Sequence, residues 1–489
     1  MDKIRNSSSW ILLAGITFII MYACSYYTHP GWRIMAFDQD IFYVIGRNWA
    51  NGNIPYLTTW DSKGPIIFFT NMLGYLITKS ELGVFILQSI SMICVSWSCY
   101  WMASQYCSKK ESLIFIFCLI ASYVVINSGG NQVGDCTLLL SAISTLLTYR
   151  WSRNVEEGKA SHPWIYATIY GMYFASCLFS RLTNAMMLCA SILIILCVLS
   201  YHKYWRNLLY NALAFIAGSS IIALPIIIYF YSHHALQDMW YATFIYNIEY
   251  AIHSRPEGVT DTHFPILYFV FYNICLVSIL IFSTIAFVCN DRKKIAYIWL
   301  PVALATMGWI FKSYANANYT ISFLPILMIS LIELSTLYHK TKKPLPRYAL
   351  YGICLICVTG MANYIRIATS AASIYARKSM EEDANHQINM IRQIPHNDSF
   401  IIYNGLPYIY ATQNIKPYYP YWICQDWAIE NGLSLRQKVR ECYQNGNVKW
   451  IIAWDYKHSN IKNILLKKYD IQKEEKSSKL TLFKLKETR

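Results

Sequence analysis

Apolar residues run along the first three quarters of the chain in long blocks broken by short polar ones. A bilayer-spanning helix takes roughly 20 mostly apolar residues at 1.5 Å rise each. Eleven stretches meet or approach that length, near 10–27, 82–102, 113–127, 136–150, 164–180, 184–200, 208–230, 264–288, 295–311, 319–338 and 348–366. The stretches 113–127 and 136–150 are short and flank the polar run Asn127-Ser-Gly-Gly-Asn-Gln-Val-Gly-Asp135. The segment 65–78 is shorter still and lies between Lys63 and Lys79, so it is predicted to be a juxtamembrane helix. After Arg366 the pattern changes. Strand-like runs at Ser399–Tyr403, Val448–Trp454 and Leu480–Leu485 alternate with helix-like stretches at 376–394, 433–445 and 458–468, which predicts a small α/β domain. The expected architecture is an all-α polytopic membrane bundle over 1–366, followed by an α/β domain over 367–489.

Composition agrees with that pattern. Of 489 residues 55% are hydrophobic and only 14% charged, well below the roughly 25% of soluble domains. Disorder is excluded by 40 Tyr, 22 Phe and 16 Trp. The net charge of +15 would suggest a nucleic-acid partner if it were spread over one face. It is not. Most basic residues of 1–366 sit in six clusters between spans: Lys3/Arg5, Lys109/Lys110, Arg150/Arg153/Lys159, Lys203/Arg206, Arg292/Lys293/Lys294 and Lys340/Lys342/Lys343/Arg347. Eleven spans place all six on one side, as the positive-inside rule requires. The expected topology is therefore a cytoplasmic N-terminus and an extracytoplasmic C-terminal domain. Lys3 and Arg5 before the first span resemble a signal peptide, but no small-x-small cleavage site follows, so a retained anchor is expected. Thirteen of the fifteen Cys lie in or beside spans as small hydrophobes; Cys424 and Cys442 in the tail could pair. No CxxC or HExxH motif is present.

Two outer loops are long, 28–81 and 231–263. In the second, Leu236, Trp240, Phe244, Ile248 and Ile252 recur every four residues, a stripe that suits a helix in the headgroup plane or one packed on neighbouring spans. The first loop carries the candidate chemistry: Phe37-Asp-Gln-Asp-Ile-Phe-Tyr-Val-Ile-Gly46, Gly52-Asn-Ile-Pro-Tyr56 and Trp60-Asp-Ser-Lys-Gly-Pro65. Placing Asp38, Asp40, Asp61 and Lys63 at a membrane surface is costly unless they are paired, solvated or used. Asp38 could instead cap a helix starting at Gln39. Asp38-Gln-Asp40 also fits a metal-holding Asp-x-Asp pattern, yet nucleotide sugars are cytoplasmic and this loop is predicted outside.

Taken together, the first-loop pattern resembles that of the GT-C membrane glycosyltransferases, in particular bacterial relatives of the protein O-mannosyltransferases and the lipid A aminoarabinose transferase. The likeness continues in Gly134-Asp135 of the second outer loop, Arg181-Leu-Thr-Asn184 at the next outer turn and Tyr319-Thr-Ile-Ser-Phe-Leu-Pro325 before a late span. It departs where the family often has Asp-Glu and this chain has Asp38-Gln39, and where Gly64 replaces the first proline of Lys-Pro-Pro. The resemblance implies inverting transfer of a sugar from a polyprenyl phosphate to an extracytoplasmic lipid, glycan or protein at the bacterial cytoplasmic membrane. It implies Asp38, Asp40 and Asp135 as catalytic carboxylates, Asp38 being favoured over Asp40. It implies Lys63, Arg181, Asp61, Lys312, Tyr319 and Arg255 as contacts to donor phosphate and substrate. A divalent cation, Mg or Mn, held by Asp38 and Asp40 is compatible with hard oxygen ligands.

Each residue also has a plainer reading. Lys312 and Arg181 could be snorkelling anchors, and Asp135 could cap a helix starting at Cys136. Glu333 is expected to snorkel at the cytoplasmic end of its span, while His233, His234 and His253 are expected to be surface histidines. The aromatic run Tyr408, Tyr410, Tyr418, Tyr419, Tyr421 and Trp422 could stack on sugars but is expected to form the tail's core. Two other functions fit the residues less well. A polymerase or ligase of the O-antigen type would need more basic residues in a late loop than Arg255 supplies. A lipid-linked oligosaccharide flippase would need charges along its spans, which are nearly free of them.

Overall fold

The computed structural model describes residues 7–29, 33–127, 129–253, 270–313 and 317–486. Each predicted span contains an α-helix, in Ser7–Cys24, Leu82–Ala103, Lys109–Asn127, Asp135–Glu156, Trp164–Leu178, Met186–Tyr201, Trp205–Ser232, Ile274–Cys289, Lys293–Ser313, Ile326–Thr341 and Pro344–Ala368. Among the described residues, six helices are long and apolar enough to cross a bilayer. The segment 65–78 is a separate helix of 14 residues. The chain forms two compact, discontinuous units.

The first unit comprises Met1–Trp32, Val84–Ile226 and His263–Ala368, and is the helical bundle. Small residues set its closest approaches. A Cβ on Gly171 would lie 2.0 Å from the Phe215 carbonyl oxygen, and one on Gly218 would lie 1.9 Å from that of Thr168. Two helix backbones touch there, as small residues permit between membrane helices. Glu333 corrects one expectation. It does not snorkel: it is 0% exposed and ion-paired to Arg153 Nη1 at 2.6 Å and Arg292 Nε at 3.5 Å, and it accepts the Tyr149 hydroxyl at 2.5 Å. Both arginines come from basic clusters that read as loop charges; packing turns them inward.

The second unit comprises Arg33–Gly83, Ile227–Thr262 and Thr369–Arg489. Its C-terminal part holds a four-stranded sheet of β1 (Phe400–Tyr403), β2 (Trp450–Trp454), β3 (Tyr469–Glu475) and β4 (Leu480–Leu485), in the order β1-β2-β4-β3. β1 runs parallel to β2, with Phe400 opposite Trp450, and β4 runs antiparallel to β2 and β3. The pattern of apolar residues anticipates three of these strands and misses β3. That strand, Tyr-Asp-Ile-Gln-Lys-Glu-Glu, is an edge with only Tyr469 buried, so it carries charge where an inner strand would carry apolar residues. Tyr410, Trp422 and Tyr419 are buried, so half of the aromatic run forms the core as expected, while Tyr418 is exposed. Cys424 and Cys442 are free thiols.

In the same unit the stripe of Trp240, Ile248 and Ile252 is exposed, whereas Ala235, Met239, Ala242 and Tyr246 on the other side are buried. A single π-helical turn at Tyr241–Ile245 interrupts the helix. It lets a strict four-residue spacing stay on one side where 3.6 residues per turn would drift.

Candidate active site

The first-loop residues of the second unit sit around one helix, Phe37–Ala50. It starts one residue after extended Ala36 rather than at Gln39, so Asp38 lies inside the first turn and is not the cap. Residues two apart on a helix face nearly opposite directions, and the two carboxylates part accordingly. Asp40 is 1% exposed, accepts the Ala36 N–H at 3.1 Å, and is ion-paired to Arg33, which also reaches Glu81 at 3.3 Å. Asp38 is exposed and, among the described residues, has no hydrogen-bond or ion-pair partner. Its charge near the helix N-terminus is favourable in itself. Burial outweighs Arg33 and pushes the Asp40 carboxyl up to about 7.

Asp40 therefore makes a stability prediction. Between about pH 4 and pH 7 the folded chain holds a proton that the unfolded chain has released, so stability falls as pH rises through that window. A shift of this size corresponds to roughly 4 kcal/mol. Thermal unfolding of the purified protein at stepped pH is expected to show this slope, and Asp40→Asn is expected to flatten it. An unchanged slope would mean that Asp40 does not titrate there.

The Gly-x-x-Pro-Tyr and Asp-x-Lys-Gly-Pro segments are one structural device. Tyr56 is buried and donates its hydroxyl to the Lys63 carbonyl at 2.8 Å. The Lys63 N–H donates to Asp61 Oδ1 at 2.9 Å. Lys63 is thus held from both sides, and Gly64 and Pro65 then open the helix Pro65–Thr78, with proline at its first position. The Lys63 ammonium lies 3.3 Å from Ser62 Oγ and, among the described residues, has no carboxylate partner. Burial holds the Asp61 carboxyl above its usual range despite Lys63, and Asp38 adds to that rise. Asp38 and Asp61 also push the Cys424 thiol up, after burial, to about 12, whereas Lys63 lowers it. Asp38, Asp61, Lys63 and Cys424 therefore share one electrostatic neighbourhood.

Residues with no visible sequence signal hold this loop. The Arg47 guanidinium donates to the carbonyls of Ala411 at 3.1 Å and Ile415 at 2.7 Å, and Arg33 lies 5.4 Å over the Tyr408 ring. The Trp60 N–H donates to the Pro420 carbonyl at 2.9 Å, and Asn247 Nδ2 to that of Ser62 at 2.8 Å. Partners 185 to 368 residues apart cannot be paired from local spacing.

The first unit gathers its own set. Asp135 opens the helix Asp135–Glu156 and is buried, and its carboxylate accepts from Gln88 Nε2, Tyr123 Oη and the Gln132 N–H, each at 2.9 Å. Asn318 donates to Gln132 Oε1 at 2.8 Å, and next to it Tyr319 lies under the Arg181 guanidinium at 4.1 Å. Asp135 is thus saturated by three protein donors. Lys312 stands one residue before the end of Lys293–Ser313, its side chain outside the described set, and Arg255 lies outside the described residues altogether.

Asp38 and Asp40 do not fit a shared metal ion, because one faces outward and the other is committed to Arg33. Among the described residues no group of three His, Cys, Asp or Glu is placed to hold a metal.

No protein-family model matches the chain, and no curated protein matches it in sequence. Its fold is similar to that of ArnT from Cupriavidus metallidurans in the apo state, with a TM-score of 0.58 at 11% identity, covering 97% of each chain. ArnT from Cupriavidus metallidurans bound to undecaprenyl phosphate gives a TM-score of 0.49 at 11% identity over 98% of each chain. The archaeal oligosaccharyltransferase AglB from Archaeoglobus fulgidus, in complex with an inhibitory peptide and a dolichol-phosphate, gives 0.44 at 12% identity, over 94% of this chain and 70% of that one. The chain shares the fold of that apo ArnT structure and is a multi-pass membrane protein with a small C-terminal sheet.

Proposed function

We propose that this protein is an inverting glycosyltransferase that moves a sugar from a polyprenyl-phosphate donor to an acceptor hydroxyl on the outer face of the bacterial cytoplasmic membrane. One observation carries the reading: Asp38 is an exposed carboxylate in the first turn of a helix and Lys63 an ammonium in the same electrostatic neighbourhood, and among the described residues neither has an ion-pair partner. Asp38 takes the proton of the acceptor hydroxyl, whose oxygen forms the new bond to the anomeric carbon as the sugar–phosphate bond breaks. The electron pair leaves with the phosphate, and a fixed cation offsets that charge best when it is already in place. Lys63 supplies it, its backbone held by Tyr56 and Asp61 and its ammonium 3.3 Å from Ser62 Oγ. The transition state is oxocarbenium-like, and a single displacement inverts the anomeric centre. Asp40 positions Asp38 by locking the helix start. In the first unit, Asp135 is assigned to holding its own loop.

The test is sugar transfer into the envelope polymer by membranes carrying Lys63→Met. The expected loss is about 10²-fold or more, the scale of removing one charge-stabilising donor, with partial recovery in Lys63→Arg. Wild-type transfer by Lys63→Met would reject the assignment.

A further inference from the structure

Beside the N-terminal turn of the helix Phe37–Ala50, the second unit contains a cleft of about 380 Å³, within the range of small-molecule sites. Its makeup differs from the rest of the C-terminal region, where Tyr403, Tyr410, Trp422 and Tyr443 are fully buried. Three large aromatic residues in its wall are instead open: Phe37 at 43%, Trp427 at 40% and Trp454 at 44% exposure.

The floor is stiff and already satisfied. Asp426 accepts from the Tyr403 hydroxyl and Asn404 Nδ2, both at 2.5 Å, and from the Asn460 N–H at 2.9 Å, while its own N–H donates to Asn404 Oδ1 at 3.1 Å. Three other lining groups are unused. Ser478 Oγ is buried with no partner. Gln387 is buried and spends its Oε1 on the Leu406 N–H at 3.1 Å, which leaves its amide NH₂ over. The exposed Asp383 carboxylate has no ion-pair partner among the described residues. Trp427 packs on Tyr250 and Tyr246 at 5.3 and 5.9 Å on one side and is 40% exposed on the rest; a hydroxyl, an amide donor and a carboxylate acceptor beside such part-exposed aromatic rings match a ligand with hydroxyls on its rim and C–H groups on its faces.

Charge narrows the class. The wall holds two carboxylates, Asp383 and Asp426, and no lysine or arginine. Lys479 lies 5.8 Å over the Trp454 ring but is paired with Asp455 at 3.5 Å. An anionic group such as the donor's phosphate would meet repulsion there. The cleft also adjoins the reacting carboxylate, since Phe37 lines it and Asp38 follows in sequence, and Cys424 in its wall feels Asp38 and Asp61.

We propose that this cleft is the acceptor subsite and that the acceptor is an uncharged saccharide stacked on Trp427 and Trp454. This rests on the glycosyltransferase reading for the word acceptor, but binding can be tested apart from transfer. The experiment places full-length protein in detergent on an array of neutral glycans, anionic glycans and peptides. Neutral glycans are expected to be retained, with about ten-fold weaker binding in Trp427→Ala and in Trp454→Ala, the scale of a lost stacking contact with its buried area. Trp427→Phe and Trp454→Phe, which keep an aromatic ring, are expected to retain most of the binding. Asp38→Asn is expected to bind glycans as the wild type does while failing to transfer. Retention of peptides or anionic glycans in place of neutral ones, or retention unaffected by both alanine variants, would overturn the proposal. Full transfer by Asp38→Asn with tryptophan-dependent binding would instead sink the catalytic assignment and leave the cleft standing.

Discussion

Replacing Asp38 by Asn is expected to lower sugar transfer by about 10²- to 10⁴-fold, the usual contribution of a positioned general base. The substitution keeps shape and volume and removes the proton acceptor. Asp38 has no partner among the described residues and is exposed, so its loss breaks no internal bond. Thermal stability should stay close to wild type, which separates a catalytic effect from an unfolding one. Asp40→Asn should do the opposite. It removes the ion pair to Arg33 and the Ala36 contact, so its main effect should be on stability and its pH dependence. Initial rates of sugar incorporation in membrane preparations, set beside unfolding temperatures of the purified variants, distinguish the two. If Asp38→Asn transfers at the wild-type rate, the carboxylate that matters is elsewhere.

The second large effect is expected inside the helical bundle of the first unit. Glu333→Ala leaves Arg153 and Arg292 without their shared carboxylate and the Tyr149 hydroxyl without its acceptor, in a packed helix interior. Breaking a buried pair from one side costs about 3–5 kcal/mol, because an uncompensated charge remains behind. For a chain of 489 residues that is a fall of roughly 3–5 °C in unfolding temperature. Glu333→Gln, which still accepts from Tyr149, should lose less. Sugar transfer per folded molecule should be little changed by either. A shift of a degree or two in Glu333→Ala would show that Glu333 is not the hub of this cluster.

Both expectations depend on facts that differ in how readily the chain reveals them. Span positions, the juxtamembrane helix at 65–78 and three of the four strands follow from the sequence because each is a local property: a run of apolar residues, its length and its flanking charge. The first-loop pattern was legible for the same reason, since Pro-Tyr and Asp-x-Lys-Gly-Pro act within ten residues to hold Lys63. Strand β3 was not, because a solvated edge carries no apolar signature. Spacing alone also left Asp38 and Asp40 unresolved. Only the helix start at Phe37, two residues earlier than a cap at Asp38 would require, sends one carboxylate outward and the other to Arg33.

What the sequence determined by itself is a basic-flanked, multi-span membrane chain with an acidic and cationic first loop and an α/β tail. What only the tertiary structure decided is which of those charges are free. Arg47 meets carbonyls 364 and 368 residues away, Arg153 and Arg292 converge on Glu333, and Trp427 and Trp454 stay open while neighbouring aromatics are buried. Burial and pairing are properties of groups brought together by the whole fold. No local spacing encodes them, because each depends on partners from distant stretches of chain.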